Sequence, residues 1–188
     1  NLNNSLGVIY IVRDPRSVVK SYANHNQMSL DRASDRMLEF GATLGGIKNS
    51  KNDADRIFTY MNSWSSNYQS WKVFKKFDRY LLIKYEDMIK DKKNVFLSIL
   101  EFIHKLSKSK FMLDENKLKN LLETTSFEYM KNLEKKKGFE ESVKIKDSKK
   151  ITFFKYGPKI NKPESLPAEI KKKLEISLKK EMEELGYL

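Results

Sequence analysis

The sequence predicts an α/β fold built around a parallel sheet. Twice, a short apolar run ends in a polar turn and leads toward a helix with apolar positions at helical spacing, first at Gly7–Val12 and again at Asp78–Tyr85. Strand-to-helix alternation of this kind is the pattern of α/β domains. The third observation is length: 188 residues suffice for one domain with a real core, so residues 1–188 are read as a single domain.

The first strand, Gly7-Val-Ile-Tyr-Ile-Val12, stops at Arg13-Asp14-Pro15. Asp14 is a good N-cap and Pro15 suits the first helical position, which predicts a helix from Pro15 to about Asn24. From Asn26 to Asn52 the periodicity is weak, with a helix predicted near Leu30 to Phe40 and Gly41, Gly45 and Gly46 beyond it. From Asp53 to Phe77, Ile57, Tyr60, Met61, Trp64, Tyr68, Trp71 and Phe74 recur at threes and fours. That spacing predicts one long amphipathic helix with Trp64 and Trp71 two turns apart on its packing face.

The second strand, Asp78 to Tyr85, leads through Glu86-Asp87 to a helix predicted from about Asp91 to Leu106. Short helices are predicted at Asp114 to Leu122 and Ser126 to Leu133, followed by an exposed Lys-rich loop to Lys150. A last helix is predicted from Pro167 to Leu185, closed by Gly186.

Hydrophobic residues make up 39% and charged residues 33% of the chain, and no apolar run approaches the ~20 residues of a membrane span. A cytoplasmic protein is expected. The absence of cysteine excludes disulfides, thiolate metal sites and a cysteine nucleophile. A net charge of +12 suggests an anionic partner: a nucleotide, a nucleic acid or an acidic surface, with solvated lysine faces as the plain alternative.

Arg13 is the first residue with a chemical argument of its own. A strand delivers it to the carboxyl edge of a sheet, where open α/β proteins bind ligands, beside a helix N-terminus. Ser17 and Ser21 follow at steps of four, so a guanidinium and a hydroxyl on one helix face could converge on a phosphate. A structural salt bridge from Arg13 to Asp14 or Asp87 fits the segment equally well.

The segment Ile9-Tyr-Ile-Val-Arg-Asp-Pro-Arg-Ser-Val-Val-Lys-Ser-Tyr22 resembles the 3′-phosphate-binding segment of the sulfotransferase family, in which an Arg and a Ser are spaced as Arg13 and Ser21 are. Four further segments resemble the family in order: the Trp64–Trp71 helix, Leu81-Leu-Ile-Lys-Tyr-Glu-Asp-Met88, Thr124-Thr-Ser-Phe-Glu-Tyr-Met130 and Phe153-Phe-Lys-Tyr-Gly157. The resemblance implies a three-layer parallel sheet of the P-loop nucleotide-kinase-like type, present here in part. It also implies transfer of a sulfuryl group from 3′-phosphoadenosine 5′-phosphosulfate (PAPS) to an acceptor hydroxyl or amine, with no metal and no nucleic acid partner.

On that resemblance Arg13 and Ser21 are the 3′-phosphate ligands, and Tyr85 is an adenine contact. Thr125 offers a hydroxyl to the ring nitrogens and Phe127 a stacking face. A cap at Ser126 with Phe127 and Met130 in the core is the competing reading of that segment. Lys155, Tyr156 and Gly157 form the segment that folds over the donor. Here the sequence departs from the family, with Lys155 where Arg is usual and Tyr156 where Lys is usual, so looser phosphate recognition is expected. Lys159 or Lys162 would be the compensating charges.

Two family features are missing. No phosphate-binding loop of the form Pro-Lys-Ser-Gly-Thr-Thr occurs, and none of the twelve residues before Arg13 is His, Asp or Glu, so no catalytic base is assigned. His25 and His104 lie in the wrong segments. The expectation is an N-terminally truncated sulfotransferase domain, with a basic helical module that binds nucleic acid or other anions, or a non-catalytic scaffold, as the rivals. The acceptor is not legible, although the segment from Asn26 to Asn52 is expected to shape its pocket.

Overall fold

The computed structural model describes residues 2–44, 59–139, 152–155 and 163–188. Its centre is a parallel pair of strands, β1 (Val8–Val12) and β4 (Tyr80–Lys84), in register from Val8 opposite Tyr80 to Val12 opposite Lys84. A second, antiparallel ribbon joins β2 (Thr43–Leu44) to β3 (Thr59–Tyr60). The described residues therefore form the expected α/β arrangement, with a parallel pair surrounded by helices.

Local chemistry sets most helix starts. Asp14 accepts from the Arg16 amide and Pro15 opens α1 (Pro15–Asn26), which Gln27 closes in the left-handed region. Ser29 caps α2 (Leu30–Leu38), which stops short of Phe40; that ring is 79% exposed. Asp91, Asp114 and Ser126 cap α5 (Lys92–Ser107), α6 (Glu115–Thr124) and α7 (Phe127–Lys137). The last of these continues through Lys135–Lys137, so the expected Lys-rich loop begins later than the sequence suggests, and residues 140–151 lie outside the described residues.

The long helix expected from Asp53 to Phe77 is not formed over its described part. Tyr60 pairs across the ribbon with Thr43, Asn62 takes a φ of 60°, and Ser63 caps α3 (Trp64–Trp71) by accepting from the Ser66 amide. From Lys72 to Phe77 the chain tightens into a 3-10 helix. The periodicity that suggested one helix thus spans a ribbon, a loop and two helical types. Trp64 stacks on Tyr68 and packs into the core, whereas Trp71, expected to pack, is 43% exposed and touches Phe74.

Tyr85, expected at the end of the second strand, instead opens a short helix, α4 (Tyr85–Lys90). The final helix is two: α8 (Ala168–Ser177) and α9 (Lys179–Glu184) turn at the buried Leu178, and Gly186, at φ +69°, follows as expected. This turn keeps Leu174, Leu178, Met182 and Leu185 all buried. Val19 and Ala23 of α1 and Ala33 and Met37 of α2 join Leu174, Leu178 and Met182 in the main core, while Val12, Tyr68 and Leu185 form a smaller one under the sheet. No helix among the described residues is long and apolar enough to cross a membrane.

Candidate anion and nucleotide site

Because β1 and β4 run parallel and in register, their carboxyl ends lie side by side, and the residues that follow them meet. The Arg13 guanidinium lies over the Tyr85 ring, 4.4 Å from its centre. Its Nε is buried and has no hydrogen-bond partner among the described residues, an arrangement that costs free energy unless an anion or water satisfies it. Neither Asp14 nor Asp87 pairs with Arg13 among the described residues. Asp14 is taken by Arg16, whose Nη2 lies 2.7 Å from Asp14 Oδ2, so the salt-bridge reading of Arg13 does not hold.

Arg16 was not expected to matter, and it is the hub of a closed ring of hydrogen bonds. Besides Asp14 it reaches Glu175 Oε1 at 2.5 Å and donates to the Tyr187 carbonyl at 2.8 Å. The Tyr187 hydroxyl donates to Glu86 Oε2 at 2.9 Å, and Glu86 Oε1 accepts from the Asp14 amide at 3.2 Å. The Asp14 hydrogen bond, joined by Glu175, raises the Arg16 pKa further, so this guanidinium is always charged. The sequence placed Glu86 in the turn after the second strand but gave no signal of its contact with Tyr187 or of the role of Arg16.

Ser21 is half-buried on α1, two turns beyond Arg13, and Ser17 between them is buried. Thr125 closes α6. Its hydroxyl donates to the Leu121 carbonyl at 2.6 Å and its own carbonyl accepts from Lys92 Nζ at 2.7 Å. Donation to a ring nitrogen would require the Leu121 bond to be given up. Burial lowers the Lys92 pKa.

Phe127 opens α7 behind the Ser126 cap, as the competing reading of that segment had it, yet its ring remains half-buried. It meets Phe154 edge to face at 6.1 Å, with Lys131 Nζ 5.7 Å from its centre. Phe139, Phe153 and Phe154 continue this aromatic cluster, and His25, at the end of α1, meets Phe153 at 5.9 Å. Glu134 of α7 accepts from the Phe153 and Phe154 amides at 2.6 and 2.9 Å, a contact the sequence did not signal. Lys155 ends the short 3-10 helix Phe153–Lys155; Tyr156, Gly157, Lys159 and Lys162 lie outside the described residues.

On one side of the sheet a cleft of about 220 Å³ is lined by Tyr10, Tyr22, Met37, Ala42, Met61 and Trp64, among others. Met37, Ala42 and Thr43 come from the segment expected to shape an acceptor pocket. Burial pushes the pKa of Tyr10, whose hydroxyl donates to Asn67 Oδ1 at 3.0 Å, up to about 12.

A parallel pair of strands thus sets Arg13, its Nε buried and unpartnered among the described residues, at the carboxyl edge, where open α/β sheets bind ligands. The chain belongs to the sulfotransferase domain family, which matches residues 1–186. Among solved structures, mouse sulfotransferase SULT7A1 complexed with PAP has the same fold. Its TM-score is 0.52 at 19% sequence identity, covering 94% of this chain and 58% of that one. The chain thus spans a little over half the length of that relative. No curated protein matches the sequence.

Proposed function

We propose that this chain forms the 3′-phosphate and adenine side of a donor site for PAPS, in a protein that moves the sulfuryl group to an acceptor hydroxyl or amine. The observation that carries the reading is Arg13, buried at Nε without a partner among the described residues, and laid over Tyr85 at the carboxyl edge of the sheet. A 3′-phosphate would accept from the guanidinium fork and from Ser21 on the helix that follows, while the purine lies toward Tyr85 and Phe127. The segment from Lys155 through Tyr156 to Gly157 would close over the nucleotide, with Lys155 supplying charge but not a bidentate fork.

In the reaction the bond from sulfur to the bridging oxygen of the donor breaks and a bond from sulfur to the acceptor oxygen or nitrogen forms. The acceptor proton leaves to a base, and adenosine 3′,5′-bisphosphate (PAP) is the second product. The residues named here bind and orient the nucleotide; none is assigned as the base. The aromatic and methionine lining of the cleft beside Tyr10 and Trp64 supports an acceptor with an apolar body. A cytoplasmic setting accords with this substrate.

Calorimetry with PAP and with adenosine 5′-monophosphate tests the reading. Tighter binding of the bisphosphate is expected. Equal or absent binding of the two would overturn it, and a strong, salt-sensitive affinity for oligonucleotides would favour a basic nucleic-acid-binding module instead.

A further inference from the structure

The two turns that carry Arg13 and Tyr85 are not joined to each other by any backbone hydrogen bond beyond the strands. They are joined directly by the Glu86 carboxylate, and a second time through the last turn of the chain. The Asp14 amide, next to Arg13, donates to one oxygen of Glu86, next to Tyr85; the Tyr187 hydroxyl donates to the other oxygen of the same carboxylate. The Tyr187 carbonyl accepts from Arg16, and Arg16 returns to Asp14, which closes the ring. Lys84 Nζ, at the end of β4, lies over the Tyr187 ring, 5.2 Å from its centre.

We infer that Tyr187 is a positioning residue for 3′-phosphate recognition: through Glu86 and Arg16 it sets the separation of the two turns and so aims the Arg13 guanidinium across Tyr85. The inference rests on the donor-site reading above. The geometry suits the task because each member of the ring holds backbone or carboxylate atoms adjacent to a site residue. None of its members needs to touch the nucleotide. Burial first, and then the Glu86 charge, raises the Tyr187 pKa well above the ordinary tyrosine value, so the hydroxyl remains a donor throughout the neutral range. A guanidinium aimed within a few tenths of an ångström makes both bonds of a bidentate pair; one left to swing makes one.

The test is the preference for PAP over the 5′-monophosphate, measured by calorimetry on the full chain as wild type, Tyr187→Phe, Glu86→Ala and the double variant. Tyr187→Phe keeps the ring and removes only the bond to Glu86. It is expected to shrink the preference roughly three- to tenfold, less than the full worth of a hydrogen bond to a charged group because the effect on the nucleotide is indirect, with affinity for the monophosphate and the melting midpoint near wild type. Glu86→Ala, which also removes the acceptor of the Asp14 amide, should shrink the preference at least as much, and the double variant should be no worse than Glu86→Ala. A Tyr187→Phe protein with the full wild-type preference would overturn the inference alone, as would a loss shared equally by both nucleotides, which marks a merely structural role. A wild type that fails to distinguish the nucleotides would overturn the donor-site reading, and the inference with it.

Discussion

Arg13 lies over Tyr85, its guanidinium carbon 4.4 Å from the ring centre, although 72 residues separate them in sequence. The contact restrains a long side chain that would otherwise sample many rotamers, and it leaves the fork edge free to meet an anion. Arg13→Ala is expected to lower affinity for PAP roughly ten- to a hundredfold, the range of hydrogen bonds to a charged group, while the 5′-monophosphate loses little. Arg13→Lys should fall between, because it keeps the charge and loses both the stack and the fork. Equal losses for the two nucleotides in the Ala variant would argue against a 3′-phosphate role.

Gly7 marks where β1 meets α5. A Cβ there would overlap Leu106 Cδ1 and lie 3.1 Å from the Arg79 carbonyl oxygen and 3.3 Å from Phe102 Cζ. The backbone oxygen cannot retreat, since it accepts from the Val8 amide at 2.8 Å and so helps start the strand pairing. Gly7→Ala is therefore expected to destabilise the fold by about 1–3 kcal/mol through overpacking, read as a lowered denaturation midpoint. A midpoint at or above wild type would show that α5 moves away freely.

What could be read in the sequence was local. Asp14-Pro15 and Ser126 cap their helices with atoms a few residues away, so composition and spacing were enough to name them; Asp91 and Asp114 were read only as approximate helix starts, and the equally local cap at Ser29 was missed. The error over Asp53 to Phe77 has a non-local cause. Tyr60 and Met61 continue the helical spacing, but Tyr60 is claimed by Thr43 across the ribbon, and Asn62 accepts from the Gly41 amide at 3.0 Å. The candidate site was legible as separate residues, Arg13 and Tyr85 among them, because they stand in recognisable motifs. Their contact was not, nor was the ring through Tyr187, whose partner Glu86 is 101 residues away. Thr125 illustrates the opposite limit: its motif suggested a ligand contact, and its position at the end of α6 gave the hydroxyl a closer acceptor in Leu121.

Acid should loosen the docking of α9 on α3. Glu181 is buried, which by itself would raise its pKa, but hydrogen bonds from Ser65 at 2.7 Å and Gln69 at 3.0 Å outweigh this and lower it. Glu184 is lowered chiefly by Lys72, 2.6 Å away, and also by the Tyr68 hydroxyl. A depressed folded-state pKa means the unfolded chain binds more protons in acid. The stabilisation is therefore fully present above the ordinary glutamate value of about 4.3 and is lost as pH falls through the folded-state values below it. Melting midpoints between neutral pH and pH ~3 should drop steeply for wild type and less steeply for Glu181→Gln with Glu184→Gln. Added salt should weaken the Glu184 share, since its side chain is 37% exposed. Identical pH profiles for the two proteins would exclude these carboxylates as the cause.

Glu134 holds the short helix at Phe153–Lys155 in place, one carboxylate accepting from two successive amides at 2.6 and 2.9 Å. The same contact seats Phe154 against Phe127 and Phe153 against His25, so it ties the segment proposed to close over the nucleotide to the ring proposed to stack on the purine. Glu134→Ala removes both acceptors and should speed hydrogen exchange at the Phe153 and Phe154 amides roughly ten- to a hundredfold, the range for bonds to a charged acceptor. Glu134→Gln retains one amide oxygen as acceptor and should give a smaller acceleration. Amides of the core helices α1 and α8 should exchange as in wild type, because neither helix depends on this carboxylate. Unchanged exchange at residues 153 and 154 in the Ala variant would show that the aromatic cluster alone, through Phe127, Phe139 and His25, is enough to hold the segment down.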